Sequence, residues 1–547
     1  MTEVMSKFAS DIMKQKYSHL NKEGEVETWD NIAYRVSKHV LKAVHAPASQ
    51  VEKTRKIIAT RKFLPGGRYL AATGRLFHQV NNCFLFRAED SREGWANLMY
   101  KGTLSLMTGG GIGSDYSDVR AKGKLIRKTG GFSTGPTALM QMVNEAGRFI
   151  MQGGSRRSAI WAGLNWAHAD IQEFIRMKDW SDDVIAMKLK NFNSPATMDM
   201  TNISVLLDDD FFEAFHEEKH ELYTQAQSVY WSTVRHMLET GEPGFSIDTG
   251  KNAKETLRNA CTEVTSADDS DVCNLGSVNM ANIDSLEEME EVVELGTAFL
   301  LAGTVYSDIP FPGVDKVRNK NRRLGLGLMG LHEWLLKHGK KYGPDDELGE
   351  YLAVYARSGK LVKAYAEKWE LSQPVKTRAI APNGTIGIVA ETTTGVEPIF
   401  CAAYKRRYLK GSVWTFQYVV DPTAKRLLDQ GVPLELIEDA YDLANDVERR
   451  VSFQAWVQGF VDHSISSTIN LPRWGSELNN ESRVRDFGNM LIKYLPKLRG
   501  ITVYPDGARA GQPLNPVPLA QALQHEGHVY EETGSTICDI TKGGECG

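Results

Sequence analysis

The chain has 547 residues, 42% of them hydrophobic and 24% charged, with a formal net charge of −5. This is the composition of a globular protein with a sizeable core, and its mild acidity excludes bulk attraction to nucleic acid or an anionic membrane. No apolar run approaches the roughly 18 residues of a membrane span, and Met1-Thr2-Glu3-Val4-Met5-Ser6-Lys7 lacks the apolar centre of a secretory signal, so a cytoplasmic protein is expected.

In chain order, Ile32, Val36, Val40, Leu41 and Val44 recur at helical spacing, and Pro65-Gly66-Gly67 punctuates the chain after them. From about residue 80, short β-prone runs alternate with longer helical patterns. Strands are expected at 83–86, 202–207, 386–389, 468–471 and 501–504, with long helical stretches such as 285–305 and 345–370. That alternation predicts an α/β architecture with a largely parallel sheet. Beyond about residue 520 the apolar pattern fades, and the end, Cys538 to Gly547, reads as small, polar and mobile.

Six cysteines in a chain this long are too few for a disulfide scaffold. No C-x-x-C pair occurs, so no structural zinc and no metal ligands are expected. Asn259-Ala260-Cys261-Thr262-Glu263 sets an amide, a thiol and a carboxylate at alternate positions. If extended, it would point all three to one side. Taken alone, so short a pattern is matched by a buried cysteine between two polar residues. Two further thiols, Cys83 and Cys273, raise the functional reading modestly. Thr108-Gly109-Gly110-Gly111-Ile112-Gly113 and Gln152-Gly153-Gly154-Ser155-Arg156-Arg157 are neither P-loops nor full dinucleotide fingerprints, and tight turns are expected there. Ala381-Pro382-Asn383-Gly384-Thr385-Ile386 is a turn whose N–H groups suit a phosphate at a helix or strand terminus. Cys538 and Cys546 form a terminal dithiol suited to disulfide exchange, and Cys401 reads as a small core residue.

Together these segments resemble the catalytic subunit of ribonucleotide reductase. The ordered matches run from about residue 28 to about residue 515 and include Asn82-Cys83, Gly110 to Gly113, Val119 to Gly123, Gly153 to Arg157, Asn202 to Val205, Asn259 to Glu263, Cys273 to Ser277, Arg322 to Gly327, Ala381 to Thr385 and Ile465 to Asn470. The resemblance implies a ten-stranded α/β barrel with a central finger loop carrying Cys261. It implies that Cys261 becomes a thiyl radical, that Glu263 is the general base and that Asn259 holds the ribose. Cys83 and Cys273 would be the reducing pair and end as a disulfide. Cys538 and Cys546 would be the shuttle that restores it, with thioredoxin or glutaredoxin as donor. Substrate would be bound by Asn82, Gly111, Pro382, Asn383, Gly384, Thr385 and Ile386. A dNTP or ATP specificity effector would be bound by Asp90 and Arg120 and relayed through Asn191, Phe192, Asn193 and Ser194.

Large subunits that take their radical from a metal-containing partner have two adjacent tyrosines near the active site. This chain has no Tyr-Tyr pair, and the corresponding region reads Gly500-Ile501-Thr502-Val503-Tyr504-Pro505-Asp506. It looks like the adenosylcobalamin-dependent class. The runner-up is a large subunit that needs a separate radical-generating protein, and a non-catalytic nucleotide-binding protein is the third reading. The glycyl-radical motif of the anaerobic class is absent. So is Asp-x-His-x-x-Gly, which fits a class resembling proteins that bind the cofactor with its own base retained. The expected organisation is an N-terminal helical region over 1–75 without an ATP-cone, a catalytic barrel over 76–520 and a redox tail over 521–547. A possible homodimer in a bacterium or a phage-infected host is expected, with no inhibition by dATP through a cone.

Overall fold

A computed structural model describes residues 5–20, 23–127, 130–152, 156–191, 194–410, 413–508, 514–525, 528–533 and 536–539. Its central sheet contains ten strands: β1 (Phe63–Pro65), β2 (Cys83–Arg87), β3 (Gly111–Asp115), β4 (Ile160–Asn165), β5 (Thr201–Asp208), β6 (Gly244–Asp248), β7 (Asp271–Asn279), β8 (Leu324–Met329), β9 (Thr468–Leu471) and β10 (Gly500–Pro505). Strands β2 to β6 pair in parallel, each with the next. So do β7 with β8, and β9 with β10. The expected parallel sheet is thus realised as two parallel halves, joined by antiparallel seams between β7 and β2 and between β6 and β10.

The pairings run round a full ring. Leu326 of β8 bridges Arg378 in parallel, and Ile380 bridges Ile465 just before β9. The bonds Ala379 N–H to Leu326 O (3.0 Å) and Ser466 N–H to Ile380 O (2.8 Å) carry those steps. The segment 376–380 is therefore a stave of the ten-stranded α/β barrel, while β1 lies outside the ring as an antiparallel neighbour of β7.

Alternation along the strands sorts residues between outer coat and interior. Phe84, Phe86, Ile112, Ile203, Val205 and Phe245 face outward and share one apolar core with the surrounding helices. Their neighbours Cys83, Leu85, Gly111, Gly113, Ser246 and Asp248 lie on the opposite face. The second half packs on helix α1 (Leu286–Tyr306), whose core also takes in Ile32, Val36, Val40 and Leu41 of the N-terminal helix Trp29–Lys42.

Ile386 to Val389 departs from the strand expected there: it lies in helix α2 (Gly384–Ala390). Ile386, Val389 and Ala390 are buried while Ile388 is exposed, which is helical spacing, and packing overrides the β preference of the branched side chains. A separate five-stranded antiparallel sheet is built from Leu514–Pro516, Ala403–Lys410, Val413–Val420, Val529–Thr533 and Thr536–Asp539. Part of the stretch expected as a mobile tail is thus regular structure. Among the described residues no helix is long and apolar enough to cross a membrane.

Candidate active site

Between β6 and β7 the chain runs into the barrel and back as a hairpin, Leu257–Arg258 pairing antiparallel with Thr265–Ser266. Leu257 and Val264 bury themselves against Leu85, Leu275 and Ala379 of the inner barrel wall. Each such side chain contributes about 1.5–3 kcal/mol relative to exposure. The hairpin fits because β3 carries glycine at two successive inward positions, 111 and 113. A Cβ on Gly113 would lie 2.0 Å from the Arg258 carbonyl oxygen, and one on Gly111 would lie 3.0 Å from the Ala260 Cβ. This glycine-rich segment was expected as a tight turn. Gly111 and Gly113 instead belong to β3, and what they permit is the close approach of a second backbone.

The base of the hairpin is fixed by charge. Arg258, fully buried, donates to the Glu255 carbonyl (2.5 Å), the Leu257 carbonyl (3.2 Å) and the Asp248 carboxylate. Arg499 also reaches Asp248, at 3.2 Å. Arg323 bonds Asp271 (2.6 Å) and Glu255 (3.1 Å), and Lys376 pairs with Glu255. Thr265 N–H donates to His463 Nδ1 at 3.1 Å, and burial among four nearby cations holds that imidazole well below its ordinary pKa, hence neutral. Neither Arg258 nor His463 stood out in the sequence. Their only signal is adjacency to other matched segments, because their partners lie far away in the chain.

At the tip, residues 259–264 form a turn rather than the extended segment that would have aligned alternate side chains. Thr262 N–H donates to the Asn259 carbonyl at 3.0 Å, and Thr262 has φ +67°. Convergence of the site comes from that turn and from the barrel wall. Asn259, buried, accepts from Val264 N–H at 2.9 Å through Oδ1 and donates from Nδ2 to Cys83 Sγ at 3.0 Å. Cys83 stands directly opposite Cys273 across the antiparallel seam, and both are buried. Directly opposed antiparallel residues have Cα atoms about 4.5–5.5 Å apart, within the span of a disulfide.

The electrostatics of this group favour neutral forms. Burial, then the neighbouring Glu263 carboxylate, pushes the Cys261 thiol far above its ordinary pKa. Burial and the same carboxylate do so for Cys83 and Cys273. Burial raises Glu263 itself from 4.5 to about 7, against the opposing hydrogen bond from Asn259. Glu263 Oε2 is buried without a protein partner, and so is Asn82 Oδ1. The unpartnered Glu263 oxygen, next to the Cys261 thiol in the finger tip, marks where another molecule's polar group belongs.

The remaining predicted residues fall in three places. Asn383 adopts φ +58° and N-caps α2; its side chain accepts from Ser277 Oγ (3.1 Å) and donates to the Leu328 carbonyl (3.2 Å). Pro382 and Gly384 are exposed, Thr385 is partly so and Ile386 is buried. The first N–H groups of a helix lack intrahelical acceptors, which leaves those of Gly384, Thr385 and Ile386 without a partner inside the helix. Asp90 and Arg120 pair with each other at 2.8 Å. Asn191 caps the helix Asp182–Lys190, and Ser194 N–H donates to its carbonyl at 2.9 Å; Phe192 and Asn193 lie outside the described residues. Cys538 is paired opposite Glu531 in the terminal hairpin, and Cys546 lies outside the described residues.

Three cavities adjoin along the ends of β9 and β10. One of about 790 Å³ and one of about 500 Å³ share Arg473, and the latter shares Asn470 with a third of about 490 Å³ beside α2. The largest is lined by Asn202, whose amide donates to the Ala260 carbonyl in the finger tip at 3.4 Å.

The family description "Ribonucleotide reductase, barrel domain" matches residues 81–227, 218–352 and 375–504. A vitamin B12-dependent ribonucleoside-diphosphate reductase of Thermoplasma acidophilum is 25% identical, over 92% of this chain and 71% of that one. A protein of the same name from Mycobacterium tuberculosis is 26% identical, over 86% and 75%. A protein of Mycobacterium phage D29, provisionally named an adenosylcobalamin-dependent ribonucleoside-triphosphate reductase, is 24% identical, over 87% and 78%. With the family's domain matching most of this chain, and a finger hairpin carrying the expected thiol inside a ten-stranded barrel, this chain belongs to the ribonucleotide reductase family.

Proposed function

We propose that the protein is an adenosylcobalamin-dependent ribonucleotide reductase in which Cys261 is the radical residue and Cys83 with Cys273 the reducing pair. The observation that carries this is the juxtaposition at the finger tip. One thiol sits beside a buried carboxylate, and two more thiols face each other across a strand seam, with Asn259 bonded to one of them. Cys261 is held as a thiol rather than a thiolate, which suits hydrogen-atom transfer and not nucleophilic attack.

In this reading Cys261 gives up its S–H hydrogen atom and takes the 3′-hydrogen of the ribonucleotide. Glu263, ionised above about pH 7, accepts the 3′-hydroxyl proton. The 2′-hydroxyl leaves as water, with a proton from the Cys83/Cys273 pair. That pair gives two electrons and closes as a disulfide, and Cys261 returns the hydrogen to C3′. The balance is one ribonucleotide and one dithiol to one deoxyribonucleotide, one disulfide and one water. Asn259 bridges the thiol and the sugar, and the N–H groups that open α2 receive the substrate phosphates. The terminal cysteines Cys538 and Cys546 re-reduce the pair by exchange, drawing on thioredoxin or glutaredoxin.

Adenosylcobalamin, when bound, supplies the homolysis that removes the Cys261 hydrogen atom. The groove along β9 and β10 suits it: it is open on one side, rich in amide, hydroxyl and charged groups such as Asn470, Arg473, Ser476 and Asp506, and it reaches the finger at Asn202. The relatives named for this cofactor match 86–92% of the chain.

The Asp90–Arg120 pair is the proposed hold on a nucleotide effector, with 191–194 as the relay. A homodimer is proposed on the exposed apolar residues of the helices Arg92–Met107 and Pro136–Phe149, which include Tyr100, Met107, Met142 and Phe149. The N-terminal region over 1–75, the barrel over 76–520 and the terminal segment over 521–547 are the proposed functional divisions.

Purified chain, ribonucleoside di- or triphosphate and a small dithiol, with and without adenosylcobalamin, test the proposal. Deoxyribonucleotide should form only with the cofactor. No product with the cofactor, and product on adding a separate radical-generating protein, would favour the runner-up.

A further inference from the structure

Residues 260 to 262 seat Cys261, and little outside the finger holds them. Thr262 N–H bonds the Asn259 carbonyl within the turn itself. Among the described residues, one side chain hydrogen-bonds any of the three: Asn202, whose Nδ2 donates to the Ala260 carbonyl at 3.4 Å. That carbonyl belongs to the peptide group whose nitrogen is Cys261's own. The group is planar and stiff, so a pull on its oxygen moves the Cys261 backbone with it.

Asn202 is also the exception in its own strand. From Thr201 to Leu207 every other residue of β5 is buried, and Asn202 alone is exposed. What it meets is the cavity of about 790 Å³, which it lines together with Trp180, Ile185 and Lys188. Its backbone is firmly held. Ile203 N–H donates to Glu242 at 3.1 Å, and Asn144 accepts from both Met200 N–H and the Thr201 hydroxyl at 2.9 Å. A backbone carbonyl can only accept, so the amide nitrogen is turned to the finger, and Oδ1 is left without a described partner beside the cavity. At 3.4 Å the bond to Ala260 lies beyond the usual range of about 2.7–3.2 Å, so a shift of a few tenths of an ångström tightens or releases it. A donor placed on Oδ1 polarises the amide and strengthens what Nδ2 donates.

We propose that Asn202 is a positioning residue that couples occupancy of this cavity to the seat of Cys261. A hydrogen-bond donor on the occupant bonds Oδ1, and Nδ2 then draws in the Ala260 carbonyl and fixes the turn that presents the thiol. The carboxamides that rim a corrin ring are donors of this kind. The coupling therefore rests on the cofactor reading above, whereas the tie between Asn202 and the finger does not.

The test is amide hydrogen exchange of the finger, residues 257–266, in the full chain and in Asn202→Ala and Asn202→Asp. The aspartate keeps the shape of asparagine and loses the donor, which separates hydrogen bonding from packing. Without ligand, both variants should exchange about threefold or more faster than wild type at the tip, as loss of one hydrogen bond requires. With saturating cob(II)alamin, which cannot undergo homolysis, the wild-type tip should slow further. Both variants should bind it, read by its visible spectrum, without that slowing. In turnover, kcat should fall about tenfold with the KM for ribonucleotide unchanged, as a small displacement of reacting groups does. Unchanged ligand-free exchange in both variants would overturn the tie, and so would an aspartate variant that behaves as wild type. Slowing by cob(II)alamin that is as large in the variants as in wild type would overturn the coupling. Failure of wild type itself to bind cob(II)alamin would overturn the coupling together with the cofactor reading, and the ligand-free comparison would still decide the tie.

Discussion

Replacing Glu263 with glutamine should remove the chemistry while stabilising the protein, and the gain should grow with pH. Burial raises this carboxyl from 4.5 to about 7. Between those values the folded protein holds a proton that the unfolded chain releases, so wild-type stability falls as pH rises through the window and levels off above it. At about 1.4 kcal/mol per pH step, the cost of the ionised carboxylate is about 3 kcal/mol at pH 8 and under about 1 kcal/mol at pH 5. Glutamine does not titrate. The stability difference between Glu263→Gln and wild type should therefore move in favour of the variant by about 2–3 kcal/mol from pH 5 to pH 8. Any constant packing or hydrogen-bond cost of the amide cancels in that comparison. Urea unfolding at the two pH values, extrapolated linearly, reads it directly. Turnover of wild type should rise through about pH 7 as Glu263 ionises, and the variant should show none. A stability difference that stays flat with pH would mean that Glu263 ionises normally in the folded protein, and the argument for a poised base would fail.

Cys261→Ala should abolish deoxyribonucleotide formation with an unchanged thermal transition, measured by calorimetry; residual product would remove Cys261 from the radical role. Gly113→Ala would set a methyl group 2.0 Å from the Arg258 carbonyl, so the finger must shift. We expect a loss of about 1–3 kcal/mol in stability together with loss of turnover, and a stable, active variant would contradict the close approach that admits the hairpin. Replacing Cys538 and Cys546 with serine should stop thioredoxin-driven turnover and spare turnover with a small dithiol; equal loss with both reductants would argue against a shuttle.

Much of the barrel was legible because its strands are short β-prone runs between long helical patterns, and Cys83, Asn202, Thr468 and Ile501 all fall in such strands. Ile386 to Val389 was not, since a branched apolar run satisfies either period and only its neighbours decide. Cys261 was visible as a thiol near a base, but the extended geometry assumed for it was not adopted. The turn that brings Asn259, Cys261 and Glu263 together depends on Thr262 at φ +67°, which no propensity favours. Arg258, Asp248, Arg499 and His463 stayed hidden for a different reason: their roles exist only through contacts between distant segments. The glycines at 111 and 113 suit a tight turn equally well, and only their alternate spacing signals two successive bare positions on one face of a strand.

The central claim is that Cys83 and Cys273 supply the electrons for a reduction begun at Cys261. Fully reduced protein in which Cys538 and Cys546 are serine, given adenosylcobalamin and ribonucleotide without external reductant, tests it in a single turnover. The account predicts one deoxyribonucleotide per chain at most, with a Cys83–Cys273 disulfide formed in equal amount and mapped by mass spectrometry. Product without that disulfide, or a disulfide joining either cysteine to Cys261 or Cys401 instead, would contradict it.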